Sequence, residues 1–149
     1  MKKFKFRFDA VERVRKIETE LQMKELALAM KRQERIEAEI QNLNLLLQEE
    51  IERARSYSEY RNSEQLSILS IHYRDNLNLQ IQEKKKELHE AKREVIAERR
   101  RLIEKSKAEQ AIEKLKEKEK EKHYDEFQKE EGKSNDEIAS NFWIYRFFR

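Results

Sequence analysis

The near absence of helix-breaking residues is the feature that most constrains this chain. Its 149 residues include no Pro and a single Gly, Gly132. Pro and Gly interrupt helices most strongly, at about 3 and about 1 kcal/mol relative to Ala. Charged residues make up 44% of the chain, which leaves little apolar material for a compact core. The sequence therefore predicts very long helices, whose function depends on shape and surface rather than on a pocket.

The apolar residues of the second half recur with the period of supercoiled helices. Ile81, Leu88, Val95 and Leu102 follow one another at intervals of seven residues. Disorder is the competing interpretation of a highly charged chain, but the net charge is only +3 and the apolar residues are periodic. The expected fold is all-α: a long antiparallel two-helix coiled coil, or helical hairpin, with a short C-terminal helical tail.

Capping signals predict where the helices begin and end. Three residue pairs have a capping side chain followed three positions later by Glu or Gln: Asp9 with Glu12, Asn62 with Gln65, and Ser134 with Glu137. Gly132 stands where a left-handed residue would end a helix. These signals predict a hairpin over residues 1–132, with helices over about 10–60 and 64–131, and an aromatic tail over residues 133–149. The hairpin turn is placed in the Ser-rich stretch 56–70, where helical propensity is weakest.

Each long helix carries an apolar row that could pack against the other. The row predicted for the second helix begins at Tyr73, Leu77 and Ile81 and continues to Ile112 and Leu115. The row predicted for the first helix is irregular, with steps that read as stutters in the heptad pattern. Its members are Val14, Ile17, Leu21, Leu28, Ile36, Ile40, Leu43, Leu47, Ile51 and Ala54. Complementary rows favour a monomeric hairpin, and a parallel homodimer of one very long helix is the alternative.

Some apolar residues near the turn exceed what one helix–helix contact can bury. Leu45 and Leu46 lie between Leu43 and Leu47, and Leu79 lies between Leu77 and Ile81. A second apolar face on a slender helical protein is typical of a partner-binding site. The candidate binding residues in this region are Leu43, Leu45, Leu46, Tyr73, Leu77 and Leu79.

The end of the sequence is unusually aromatic. Five of the eight residues 142–149 are aromatic, and they include Trp143, the one Trp of the chain. Such side chains bury about 150–250 Å² each, so we expect Trp143 to be buried only against something else. The receiving surface could be Phe4, Phe6 and Phe8, a partner protein, or a membrane with anionic lipids.

The sequence lacks the patterns of catalytic, metal and nucleic-acid sites. A phosphate-binding P-loop needs two Gly residues, and this chain has one. The three His residues are scattered along the second helix without metal-ligand spacing, and no Cys is present. The basic residues around Arg99–Arg101 are not followed by the sustained heptads of a basic-zipper protein. We expect no enzyme activity, no cofactor, no metal and no nucleic-acid partner.

Cysteine-free composition and the lack of any long uncharged run favour a cytoplasmic protein without a membrane span.

Residues at both ends and in the middle of the chain resemble the flagellar type III export protein family FliJ. The opening segment Phe6–Val11 is followed by Arg15, Glu18 and Glu25–Ala27. The second half adds a row of residues, a charged segment and a late Asp-Glu: Tyr73, Leu77, Ile81, Leu88, Ala91, Val95, Glu113–Lys118, Tyr124 and Asp136–Ala139. The resemblance covers nearly the whole chain.

The resemblance implies a non-enzymatic stalk of the flagellar export apparatus. Such a protein inserts in the ring of the hexameric flagellar export ATPase, links it to the export gate membrane protein and engages export chaperones, at the cytoplasmic face of the inner membrane. The helix ends near residues 1–25 and 105–131 would enter the ring. The final residues, 141–149, are more aromatic than the family pattern. A structural coiled-coil spacer and a peripheral membrane adaptor are the alternative functions.

Overall fold

The chain forms two long helices joined by a short turn. The computed structural model describes residues 3–148. Helix α1 spans Asp9–Ala54, a short 3-10 helix spans Tyr57–Glu59, and helix α2 spans Ser63–Phe147. Of the described residues, 92% are helical, and none lies in a strand. The predicted all-α helical hairpin is therefore confirmed.

The turn falls in the predicted Ser-rich stretch and α2 begins at Ser63, close to the predicted start, but local hydrogen bonds end α1 at Ala54 rather than near residue 60. The Ser56 hydroxyl donates a hydrogen bond to the carbonyl oxygen of Arg53 at 2.8 Å, where the last turn of the helix leaves carbonyls without partners. The Tyr57 hydroxyl donates to the Glu50 carboxylate at 2.9 Å and ties the turn back to α1. This hydrogen bond raises the pKa of Tyr57.

Gly132 does not end a helix, and the prediction of a separate short helix after it is wrong. Helix α2 continues through Gly132 and Ser134 to Phe147, and no described residue has a left-handed backbone. A Gly inside a helix costs only about 1 kcal/mol relative to Ala. The residues just before it and Lys133 after it are Lys and Glu, which favour the helix, so one unfavourable residue does not stop it. The division of the chain into a hairpin and a tail stays a prediction.

Contacts within the chain group the residues into two units. The turn unit comprises Glu20–Ile103, and the end unit comprises Met1–Thr19 with Glu104–Arg149. In the turn unit, Arg32 contacts Glu94 at 2.8 Å and Glu39 contacts Lys84 at 2.8 Å. Residue numbers rise along α1 as they fall along α2, so the helices run antiparallel. The hydrogen bond from Lys84 lowers the pKa of Glu39.

The core of the turn unit is a small cluster across the two helices. Ile36, Ile40 and Ala91 are buried together, and Leu88 packs against them. Ala91 is wholly inaccessible and Ile36 is only 2% exposed. A small residue at Ala91 lets the two backbones approach closely, and the isoleucines of α1 fill the space beside it.

The predicted apolar row of α2 packs against α1, except for the residues at its two ends, which are exposed. Leu77, Ile81 and Val95 are buried, and Leu88, Leu102 and Ile112 are half-buried. These positions follow the three–four alternation of a heptad repeat. Tyr73 and Leu115 are exposed and belong to the surface.

The row predicted for the first half of α1 is wrong. Val14, Ile17, Leu21 and Leu28 are more than half exposed, and Ile51 is exposed as well. The positions of α1 that are buried or half-buried instead alternate by three and four without a stutter. In the turn unit this inward row comprises Gln22, Leu26, Ala29, Gln33, Ile36, Ile40, Leu43, Leu47, Glu50 and the predicted Ala54, while Glu37 and Glu39 are half-buried beside it. Several of these residues are polar, so hydrophobicity alone does not reveal them.

The packing predicts a large difference between two substitutions on α1. Ile36→Ala removes a fully buried side chain, and we expect it to lower the free energy of unfolding by about 2–5 kcal/mol. Leu28→Ala is the matched control, because Leu28 is 61% exposed, and a surface change of this kind shifts stability by about 0.5 kcal/mol or less. Urea unfolding followed by circular dichroism measures both. Equal losses would contradict the assignment of the core.

Candidate functional site

The helix contact in the end unit is made by charged and polar side chains rather than by an apolar core. Glu12 and Thr19 are buried there, although Glu is seldom buried without a partner. Glu12 accepts a hydrogen bond from Lys116 at 2.8 Å and contacts Lys16 at 3.1 Å. The hydrogen bonds from the ammonium groups of Lys116 and Lys16 lower the pKa of Glu12. In turn, the hydrogen bond with the Glu12 carboxylate raises the pKa of Lys16. This ion-pair cluster joins α1 to α2.

Residues before α1 are fastened to α2 by aromatic contacts. Phe6 is buried, and the Lys116 ammonium lies 5.8 Å from the centre of its ring. The rings of Phe4 and His123 meet edge to face at 5.6 Å. Arg7 contacts Glu119 at 3.5 Å, but both side chains keep some exposure, so this pair contributes little. The aromatic side chains therefore hold the segment 4–8 against α2.

The polar contact leaves apolar side chains of α1 on the outside of the end unit. Val11, Val14 and Ile17, here called the outer patch, are all exposed. Val14 follows Glu12 by two residues, which is a rotation of about 200° around a helix. Val14 therefore points away from α2, and the exposure of Val11 and Ile17 leaves all three side chains of the outer patch available to another molecule.

The partner-binding residues predicted near the turn have different environments. Leu45, Leu46, Leu79 and Tyr73 are exposed, as a docking surface requires. Leu77 is buried between the helices, and in this conformation it is part of the fold. Leu43 is half-buried beside the contact of α1 with α2, where it shares a hollow with Gln80 and Lys84.

Sequence reasoning missed part of the exposed apolar surface near the turn. Ile68, Leu69 and Ile71 lie on the first turns of α2 and are exposed. They occupy an uncharged run, Gln65–Tyr73, whose density of apolar residues was a usable signal. Leu45 and Ile51 of α1 line a separate hollow close to the turn. The turn unit therefore presents apolar side chains on both helices.

Trp143 lies in a segment of α2 that no other described part of the end unit covers. We call Ile138–Phe148 the aromatic segment; all its side chains are exposed, and Trp143 is 66% exposed. Trp143 stacks on Phe147, with ring centres 5.1 Å apart. The alternative in which the tail packs on Phe4, Phe6 and Phe8 is not what the structure shows, because Phe4 lies against His123 and Phe6 beside Lys116 and Phe8.

Residues 3–148 contain neither a metal-binding group of side chains nor a membrane-spanning helix. No group of three or more His, Cys, Asp or Glu side chains is arranged to hold a metal ion. No helix in this range combines the length and the hydrophobicity needed to cross a membrane.

Comparison with known protein families decides the classification. A model of the family described as flagellar FliJ protein matches residues 4–146, nearly the whole chain. The chain belongs to the FliJ family. No curated protein and no solved structure gives a significant match.

Proteins of the FliJ family are non-catalytic components of the flagellar protein export apparatus. The match includes the segment 4–8, the ion-pair cluster and most of the aromatic segment. The functional residues of this FliJ-family chain must therefore be sought among its exposed side chains.

The ion-pair cluster predicts a pH-dependent contribution to stability. Because the folded-state pKa of Glu12 is lowered, its contribution is complete above the ordinary Glu pKa of about 4.3 and is lost as the pH falls through the lowered value. Glu12→Gln should lower the melting temperature at pH 7, and the gap from the wild-type protein should narrow once the pH falls below the ordinary Glu pKa.

Melting curves followed by circular dichroism at a series of pH values measure this gap. Glu20→Gln, a change at an exposed carboxylate of the same helix, is the control and should leave the melting temperature nearly unchanged. A gap for Glu12→Gln that stays constant down to pH 3 would show that the charge of Glu12 does not stabilise the fold.

Proposed function

We propose that this protein is the stalk of the flagellar export ATPase: its end unit inserts in the ring of the hexameric ATPase, and its turn unit reaches the export gate membrane protein. Family membership supports the export role. The observation that carries the stalk role is the outer patch, because Val11, Val14 and Ile17 are apolar and yet face away from the helix contact. An outward apolar face on a two-helix shaft is suited to contact with surrounding subunits.

A shaft without catalytic groups can still change the rate of a ring ATPase. A ligand shifts an equilibrium only through different affinities for the different states. Two helices inside a ring of six subunits present different surfaces to different subunits, so each subunit meets a different contact. The outer patch lies on one side of α1 only, and it therefore favours one subunit conformation over the others.

The turn unit supplies a separate docking surface for the gate or for export chaperones. Its exposed apolar residues include Leu45, Leu46, Tyr73 and Leu79. An apolar helix face is the usual element by which helical partners recognise one another. Because Leu77 and Leu43 pack wholly or partly in the hairpin, they support this surface from beneath. Docking to the gate would hold the protein at the cytoplasmic face of the inner membrane.

Two pairs of substitutions separate the proposed surfaces. Val14→Ser with Ile17→Ser should abolish stimulation of ATP hydrolysis by the cognate ring and leave binding to the gate intact. Leu46→Ser with Leu79→Ser should do the reverse. All four side chains are exposed, so helicity should not change. Steady-state ATPase assays and pull-down with the cytoplasmic part of the gate protein measure the two activities.

The ATPase assay also tests the proposal as a whole. The wild-type protein should hydrolyse no nucleotide by itself and should raise hydrolysis by the ring. If saturating wild-type protein leaves the ring's activity unchanged, the stalk role is wrong. If each double variant impairs both activities equally, the assignment of separate surfaces is wrong.

A further inference from the structure

The aromatic segment lacks a cover within the described residues of its own unit. His123 and Phe127 are the last half-buried residues of α2, and from Gln128 to Phe148 every side chain is exposed. The contacts of Phe4, Phe6 and Arg7 with α2 all fall between Lys116 and His123. So many exposed aromatic rings are costly in water, since each has a large apolar area to bury.

The distribution of the rings around the helix indicates what kind of surface receives them. Phe142, Trp143, Ile144 and Tyr145 are consecutive, so their side chains leave the helix at steps of about 100° and together encircle it. A groove on a folded protein receives one face of a helix, in a pattern of residues three and four apart. The interface of a bilayer is fluid and can surround side chains that point in several directions.

Charge and residue type favour an anionic bilayer in particular. No acidic residue follows Glu137, whereas Arg146 and Arg149 are basic. Arg146 lies with Phe142, Trp143 and Phe147 around one hollow, so its aliphatic stem runs beside aromatic rings. Trp and Tyr concentrate at the headgroup level of membranes, and basic residues there attract anionic lipids. No helix among residues 3–148 is able to span a bilayer, so an interfacial position is the membrane contact open to this segment.

We propose that the aromatic segment, Ile138–Phe148, binds directly to the headgroup region of an anionic lipid bilayer, with Trp143 inserted and Arg146 at the lipid phosphates. This contact needs neither the ATPase ring nor the gate protein, so it stands or fails independently of the stalk role.

Fluorescence of Trp143 tests the proposal on the full chain, because no other Trp contributes to the emission. The probes are vesicles of equal parts phosphatidylcholine and phosphatidylglycerol, and vesicles of phosphatidylcholine alone. With the mixed vesicles we expect a blue shift of the emission and co-flotation of the protein. Binding to phosphatidylcholine alone should be much weaker, and added salt should weaken binding to the mixed vesicles.

Charge reversal locates the contact. Arg146→Glu with Arg149→Glu should reduce partitioning into the mixed vesicles by about tenfold or more. Arg99→Glu with Arg100→Glu is the matched control, since it makes the same change in net charge at two exposed positions of α2. It should retain most of the binding, and an equal loss in the control would overturn the proposal. Phe142→Ser with Phe147→Ser should abolish the blue shift while the circular dichroism spectrum stays helical.

Two results would overturn the lipid proposal, and the second would identify a protein as the occupant. If Trp143 emission is unchanged by both kinds of vesicle, the segment does not bind lipid. If the emission is already blue-shifted without vesicles, and the mass in solution rises to a dimer with concentration, the segment binds a second copy of the chain. Either result overturns the lipid proposal.

Discussion

The packing of Ile36 and Ile40 against Ala91 is the contact on which the hairpin depends. Long single helices gain little stability from propensity alone, and most helices in proteins are stabilised by an apolar face packed on a partner. Here that face is a narrow row of side chains on each helix. Its buried apolar cluster lies in the turn unit. Within the turn unit the inward positions follow a three–four spacing along both helices, so the register at Ala91 determines which side chains face inwards there.

The character of the inward positions changes along the helices, and this change explains the surface. In the turn unit the inward positions include isoleucines and leucines, whereas in the end unit they include Glu12, Thr19 and Lys116. A buried ion pair adds less stability than an apolar contact of similar size, but it disfavours other registers, because a shifted helix would leave a buried charge without its partner. The apolar residues that the end unit does not use for packing, Val14 and Ile17 among them, face outwards and become available to other molecules.

Sequence reasoning succeeded where apolar residues occupy the inward positions and failed where they do not. Leu88, Val95 and Leu102 are apolar and lie inwards, so the heptad of α2 was readable. On α1, Val14, Leu21 and Leu28 are also seven residues apart, but they lie on the outer side. The inward positions of the same stretch mix the polar residues Glu12, Thr19 and Gln22 with the apolar Leu26 and Ala29, so they form no readable apolar row. When a helix carries apolar residues with heptad spacing on two faces, the sequence alone does not show which of the two faces is buried.

The candidate site shows the same limit. The excess of leucines near the turn correctly indicated exposed apolar residues at Leu45, Leu46 and Leu79, because one helix contact cannot bury side chains in all directions. It did not separate them from Leu77, whose burial depends on the register of the two helices. The role of these residues in partner binding stays a prediction. Gly132 shows that a helix-stop signal can fail, because a Gly inside a helix costs only about 1 kcal/mol.

Native-state hydrogen exchange tests the central claim most directly, because it measures the free energy of opening at individual amides. If the apolar cluster stabilises its part of the hairpin more than the polar contacts stabilise the end unit, amides near Ile36–Ile40 and Ala91–Val95 exchange slowest. Amides of α1 near Glu12 and of α2 near Lys116 exchange faster, and those beyond Gln128 exchange fastest. Protection that is equal in both units, or highest in the end unit, would contradict this account.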